Sequence, residues 1–458
     1  MISLSRWEKV EDLRAKLNGR AKAEPKFRFY SLYDKVYRMD FLEAAYAQCR
    51  ANDGAPGVDG ETFADIEARG VGAYLAELSH ELKELRYRPQ AVRRVMIPKE
   101  GQPGKFRPLG IPTIRDRIVQ QSVKLLLEPI FEADFTDNAY GYRPGKSALD
   151  AIQEVERGLR NRQVNVVDGD LSKYFDTIPH DELMRSVERR QADHKVLWLI
   201  RRWLKAPVQE RSERGKVTIG GGKSTRVGTP QGGVISPLLA NIYFRRFLVA
   251  WERFGYDRKY QSRIVNYADD FVILCRHSAQ AAQARAQELL ERIGLTLNTT
   301  KTRVVRAWQT SFDFLGYTFG VIRTKNGREC LGKKPSQKSQ QRYRDRVREL
   351  TAAKQTCKRP ETVAAALKAL TQGFWGYFGA GATHDARHAL DDYQDERMLK
   401  WAQRKYRRSR GKKGKTGPEE GQRWEQIGAA MRMVVRSTEL KNPGGERHLF
   451  ANAASYAQ

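Results

Sequence analysis

Two adjacent acids, Asp269 and Asp270, stand between apolar runs, with Ile264 and Val265 before them and Phe271, Val272, Ile273 and Leu274 after. Flanks of that kind read as two half-strands of a buried hairpin, with Tyr267-Ala268-Asp269-Asp270 at its turn. A surface turn could carry two solvated acids without difficulty. In a hairpin that runs through a core, like charges repel and lose hydration, and divalent cations resolve the conflict. A second acidic run, residues 164–171 (VNVVDGDL), places Asp168 and Asp170 two apart, on one face of a strand. If one of them meets the Asp-Asp turn, carboxylates from two distant strands form a single cluster. Such a cluster suits two divalent ions about 4 Å apart, one activating an attacking hydroxyl and one stabilising a leaving oxygen in phosphoryl transfer. Asp176 reads instead as a helix-start acid, because it follows Phe175 and precedes Thr177-Ile178-Pro179.

The surrounding segments must position these acids. The first 50 or so residues read as helical and basic, ending at the turn-rich stretch 52–60. A helical stretch continues to about Arg86. Val92 to Pro98 and Lys105 to Pro112 alternate and carry turn residues, which predicts a β-hairpin. Ile114 to Phe131 predicts a helix with Ile118, Val119, Val123, Leu126 and Leu127 as its apolar stripe. Between the two acidic runs lie a helical stretch and a glycine-rich loop, Gly220-Gly221-Gly222. From Lys334 onward the pattern is helical and rich in Lys and Arg with interspersed Trp and Tyr, so a domain boundary is expected near residue 330.

The chain has 458 residues, 40% hydrophobic and 10% aromatic, which fits a folded protein and excludes a disordered one. Its formal net charge of +29 calls for a polyanionic partner, and a nucleic-acid backbone is the obvious one. Four cysteines, Cys49, Cys275, Cys330 and Cys357, lie far apart with no C-x-x-C pair, against both a zinc knuckle and a disulfide framework. No run of about 18 apolar residues predicts a membrane span, and the N-terminus lacks the long apolar run of a signal peptide. A reducing cytoplasmic setting is expected. The tract Arg407 to Lys415 (RRSRGKKGK) is low-complexity and reads as a linker or loop.

Several ordered blocks resemble the bacterial group II intron reverse transcriptases, or maturases, from about residue 50 to residue 410. They are Gly57-Val58-Asp59-Gly60, Arg107 through Pro112 (RPLGIP), Gly141 through Gly145 (GYRPG), Asp170 through Asp176, Gly228 through Asn241 (GTPQGGVISPLLAN), Tyr267 through Asp270 (YADD) and Phe314 through Tyr317 (FLGY). The resemblance implies an α+β right-hand polymerase with fingers, an antiparallel-sheet palm and an α-helical thumb. Residues 1–60 would form an N-terminal helical extension and 61–165 the fingers. Residues 166–330 would form the palm, with part of the fingers inserted around 185–230. Residues 331–412 would be the thumb or maturase domain, and 413–458 a basic tail, a possible remnant of a DNA-binding region.

The resemblance also implies roles. Asp170, Asp269 and Asp270 form the catalytic acidic triad, with Asp170 chosen over Asp168 by its spacing to Phe175-Asp176. Asp170, Leu171 and Asp269 hold two Mg²⁺ ions, for which Mn²⁺ can substitute. Lys105 and Arg107 on the hairpin clamp the triphosphate, Phe175 lies under the sugar and disfavours a 2′-OH, and Gln231 lies beside the sugar. Lys301 and Tyr267 lie by the primer and template. In the C-terminal region, Arg404, Lys405, Arg407 and Arg408 are expected to contact RNA. Trp375, Tyr377 and Trp401 could stack on RNA or pack a helical core. The implied partners are dNTPs, an RNA template with a DNA or RNA primer, and a group II intron RNA. Many relatives continue into an endonuclease module bearing paired cysteines and histidines. This sequence shows no such pairs, so no second-strand cleavage is expected. A reverse transcriptase domesticated for host defence and a splicing-only maturase are the alternatives.

Overall fold

The apolar runs and turn residues become strands in chain order. The first are β1 (Val92–Pro98), β2 (Phe106–Ile111), β3 (Asn165–Asp170), β4 (Pro207–Arg211) and β5 (Val217–Gly221). Then follow β6 (Ser262–Tyr267), β7 (Asp270–Cys275), β8 (Arg303–Arg306), β9 (Phe312–Phe314), β10 (Tyr317–Arg323) and β11 (Glu329–Pro335). The computed structural model describes residues 4–98, 104, 106–211, 216–324, 326–406 and 418–437. The chain forms two compact units. One is Met1–Ser147 with Gly169–Val304, the other Ala148–Asp168 with Val305–Gln458. The chain passes from one to the other three times, after Ser147, inside β3 and inside β8. Among the described residues, no helix is long and apolar enough to cross a membrane.

In the first unit the expected hairpin forms, with β1 and β2 antiparallel and Arg107 opposite Ile97. A second hairpin of β4 and β5 joins it through a parallel β1–β4 pairing, giving the order β2-β1-β4-β5. Gly220 and Gly221, expected in a loop, instead lie in β5 opposite Val208 and Pro207, and only Gly222 lies beyond the strand. After β2 comes the helix Ile114–Glu132, which packs against the helices Leu4–Ala23 and Met39–Asn52. The predicted stripe is buried, and so are Asp116, Gln120, Gln121 and Ser122, so the helix is enclosed nearly all round. Its polar residues are therefore partnered: the hydroxyl of Tyr87 donates to Asp116 at 2.6 Å and that of Ser122 to the Val36 carbonyl at 2.7 Å. The acidic strands lie in a four-stranded sheet of order β6-β7-β3-β8, in which β6 and β7 are antiparallel.

The second unit carries the sheet β11-β10-β9 and the helices Gln337–Leu350, Pro360–Phe378, His384–Lys405 and Pro418–Arg432. A boundary at residue 330 would cut β11, whose pairing with β10 runs unbroken from Tyr317 opposite Pro335 to Arg323 opposite Glu329. The FLGY block fastens this sheet to the helices. The Tyr317 hydroxyl donates to the Tyr377 carbonyl at 2.5 Å, and that of Tyr377 to the Leu315 carbonyl at 3.0 Å. Trp375, Tyr377 and Trp401 are all buried, so their aromatic area packs the helical core.

One buried cation fastens the N-terminal segment of the first unit. The side chain of Arg190 is only 2% exposed and donates to the carbonyls of Ala21, Glu24 and Phe27 while gripping Asp134 at 2.7 and 2.9 Å. Substituting Arg190→Met leaves a carboxylate and three carbonyls short of a donor, at a cost of about 3–5 kcal/mol. Denaturant unfolding should show a loss of that order, and an unchanged midpoint would refute the assignment.

Candidate active site

The register of β6 and β7 pairs Tyr267 with Asp270 and leaves Ala268-Asp269 as a two-residue turn. Ala268 has φ +56°, a left-handed value that a side chain adopts only when its surroundings hold it there. Asn266 supplies part of the hold. Its buried amide donates to the carbonyls of Ala268 at 2.8 Å and Asp270 at 3.3 Å. Its backbone is tied to the strap 138–141, donating to the Asn138 carbonyl and accepting from the Tyr140 N–H, both at 2.9 Å. Gly141 then passes so close beneath the turn that a Cβ there would lie 2.5 Å from the Ala268 nitrogen. Asn241 fixes the Gly141 carbonyl at 2.7 Å, and Arg143 grips the carbonyls of Thr136 and Ala139 at 2.6 and 2.7 Å. The GYRPG block and the end of the GTPQGG block thus buttress the acidic turn.

Asp170 closes β3. Before it stands Gly169, where a Cβ would lie 2.5 Å from the Phe271 ring, so glycine is what lets the second acidic strand lie this close to β7. Asn298 donates its side-chain amide to Asp170 Oδ2 at 3.0 Å and its N–H to the Asp170 carbonyl at 2.8 Å. The Lys301 ammonium lies 3.1 Å from both carboxylate oxygens. Leu171 forms an antiparallel bridge with Leu297 closed by its neighbours' bonds, Ser172 N–H to Thr296 and Asn298 N–H to Asp170. In that pattern the carbonyl of Leu171 points out of the pair, which is all a leucine could offer a cation. Asp269 reaches solvent at the tip yet is ringed by protein. This loss of hydration, and then the charge of Asp170, raise its carboxyl above the usual range, against the pull of Lys301 and Arg107. The set suits a hard divalent cation: two carboxylates that repel each other and an outward carbonyl. Asp270 lies back in the strand, and among the described residues no group of three or more His, Cys, Asp and Glu side chains is gathered for an ion.

Backbone hydrogen bonds link the segments that carry the implied nucleotide contacts. Phe175 is half-buried, and its carbonyl accepts from the Thr229 N–H at 2.7 Å, linking it to the GTPQGG loop. Gln231 in that loop accepts at its carbonyl from the Gly110 N–H at 2.6 Å, tying it to the β1–β2 hairpin. A Cβ on Gly232 would strike the Gly110 carbonyl, so loop and hairpin meet backbone to backbone. Arg107, half-buried on β2, is close enough for its charge to act on Asp269. Tyr267 is half-buried with its ring 6.4 Å from that of Tyr142. Lys105 lies outside the described residues.

Protein YkfC from Escherichia coli (strain K12) is 34% identical over 355 residues, covering 69% of this chain and 90% of that protein. Residues 97–319 match the family of reverse transcriptases (RNA-dependent DNA polymerase), and residues 340–417 match the group II intron maturase-specific domain. The chain belongs to the group II intron reverse transcriptases. Group II intron-encoded protein LtrA from Lactococcus lactis subsp. cremoris is 35% identical over 239 residues, 52% of this chain but only 38% of that protein. Among solved structures, telomerase from Candida albicans covers 78% of this chain and 67% of that one, at a TM-score of 0.41 and 12% identity. The family is a right-hand polymerase family.

In this group II intron reverse transcriptase, three asparagines escaped the sequence reading as site residues. Asn241, Asn266 and Asn298 each fix a backbone or carboxylate at the acidic centre, and no local periodicity marks them out. In the C-terminal unit Arg404 is exposed, whereas the Lys405 ammonium donates to the carbonyls of Thr356 and Lys358 at 2.9 and 2.8 Å. Arg407 and Arg408 lie outside the described residues. The raised carboxyl of Asp269 has a consequence in pH. The stability it brings is fully present below the ordinary value near 3.9 and is lost as pH rises through the raised one, while ion binding needs the ionised form. Calorimetric titration should find divalent-ion affinity weakening at a higher pH than ordinary carboxylates would give. Onset only near the ordinary value would refute the crowding of Asp269.

Proposed function

We propose that this chain is an RNA-directed DNA polymerase that adds dNTPs to the 3′-OH of a DNA or RNA primer on an RNA template. The observation that carries this reading is the approach of Asp170 and Asp269, from two strands, in a chain of the reverse transcriptase family. Asp170, Asp269 and the carbonyl of Leu171 would hold two Mg²⁺ ions, with Asp270 beside them. Such ions supply activation of the primer hydroxyl and neutralisation of charge at the leaving oxygen. The residues around them perform positioning. Arg107, with Lys105, orients the triphosphate as a cationic clamp, Arg107 through its planar fork. Phe175 sets its ring against the sugar, and Gln231 orients that sugar from the loop bonded to Phe175 through Thr229. Lys301 and Tyr267 lie where the primer end and template would pass.

The division into fingers at 61–165, palm at 166–330 and thumb at 331–412 belongs to this reading. So does a second role, binding of a group II intron RNA to promote splicing and mobility, supported by the maturase-specific match and by a net charge of +29. Arg404 with Arg407 and Arg408 would contribute there. The setting would be a bacterial cytoplasm.

Primer extension on an RNA template with dNTPs and Mg²⁺ tests the enzyme. Asp269→Ala with Asp270→Ala should lower extension by at least about a thousandfold, the several kcal/mol that metal-borne charge stabilisation supplies. No extension by the wild-type chain on several primer–templates, with RNA binding intact, would turn the reading toward a splicing-only maturase. Phe175→Ala should admit ribonucleotides, improving their incorporation relative to dNTPs by about tenfold or more, the equivalent of ~1.4 kcal/mol of steric exclusion. Unchanged discrimination in single-turnover assays would remove Phe175 from the sugar site.

A further inference from the structure

Arginines of the first unit are commonly paired with acids, as Arg94 is with Glu210, Arg143 with Glu132, Arg190 with Asp134 and Arg201 with Glu188. One place departs from this pattern. Arg88 and Arg202 both lie against the indole of Trp198, their guanidinium carbons 5.2 and 4.2 Å from its ring centroid. Each makes a cation–π contact. Burial, and then the charge of Arg88, draw the Arg202 guanidinium below its ordinary value, so the two cations feel each other. Among the described residues neither is in an ion pair with a carboxylate.

The arrangement is built rather than accidental. Lys195, Trp198 and Arg202 recur at spacings of three and four on the helix His194–Leu204, which puts them on one face. The other face, with Val196, Ile200 and Trp203, is in the core. Arg88 is anchored through Nη1, which donates to the carbonyls of Leu85 at 2.6 Å and Tyr87 at 2.8 Å. The acid at the head of the helix, Asp193, is engaged by the N–H groups of Leu32, Tyr33, Lys195 and Val196 and does not neutralise the pair.

Two guanidiniums held together without a counterion repel each other, and an arriving anion relieves that repulsion. Each planar fork matches the oxygens of a phosphate, and two forks at one place match successive phosphates of a strand. We propose that Arg88 and Arg202, ordered on Trp198, grip the phosphodiester backbone of RNA. The site lies on elements that carry none of the catalytic carboxylates. This inference rests on the RNA-directed reading above.

The test measures binding of two RNAs between about 50 and about 200 mM salt, one a primer–template and one a folded RNA without a primer. For the double variant Arg88→Gln with Arg202→Gln, the plot of log affinity against log salt should become shallower by about two units, roughly 0.9 per duplex phosphate released. The charge-preserving pair Arg88→Lys with Arg202→Lys should keep the wild-type slope. A change confined to the primer–template would assign the contact to the template strand, and a change with the folded RNA to a separate RNA segment. An unchanged slope with both RNAs overturns the site, as does a Lys pair that behaves like the Gln pair. A wild-type chain that binds neither RNA overturns the functional reading itself, which distinguishes the two failures. Thermal unfolding of each variant checks that the fold is retained.

Discussion

Asp170, at the end of one strand, and Asp269, in a turn far away in sequence, sit close enough for the charge of Asp170 to disfavour ionisation of Asp269, whose carboxyl has already lost hydration. Repulsion between like charges in a poorly hydrated place works against folding unless something rigid holds them there. Much of the local architecture can be read as that restraint. The left-handed turn at Ala268 is fixed by Asn266 from within the hairpin and by Gly141 from beneath. Asn298 restrains Asp170 from the far side through both side chain and backbone.

Close approach of backbone to backbone is the means by which this is done. At Gly169, Gly141 and Gly232 a Cβ would collide with a ring or main chain, and at Gly110 with the Val92 side chain, so absent side chains define the spacing between β3, the hairpin turn, the strap and the loop. The consequence is a centre whose precision depends on residues that touch neither an ion nor a nucleotide. Arg143 is an example: it fixes carbonyls of the strap, the strap supports Ala268, and Ala268 places Asp269.

The sequence made the strands that carry the acids readable because their cores are apolar and their turn chemistry is plain. The β1–β2 hairpin and the helix Ile114–Glu132 were readable for similar reasons. The β4–β5 hairpin was not. Every residue of β5 is exposed, so no alternation of apolar and polar residues announces it, and its glycines suggested a loop. The extent of β10 and β11 was hidden by polar residues such as Lys333, which is buried because it pairs with Glu156 at 2.9 Å. Aromatic residues among cations in the C-terminal region allowed both stacking on RNA and core packing, and burial of Trp375 and Trp401 favours the core. The ordered blocks pointed to the two acidic runs that the fold brings together, but the asparagines around them carry no periodic signal and needed three-dimensional contacts to be seen.

The ammonium of Lys301, equidistant from both oxygens of Asp170, would make loading of that carboxylate by a divalent cation an ion exchange. Such a cation would have to displace the monovalent one already there, so its net affinity would be the difference between two Coulombic attractions. Added salt screens both, and the difference is therefore less sensitive to ionic strength than either attraction alone. The released ammonium becomes available to a second anion, so any polyanion that receives it draws the exchange forward. Affinity for the cation and affinity for that polyanion are then linked, each raising the other by the same factor.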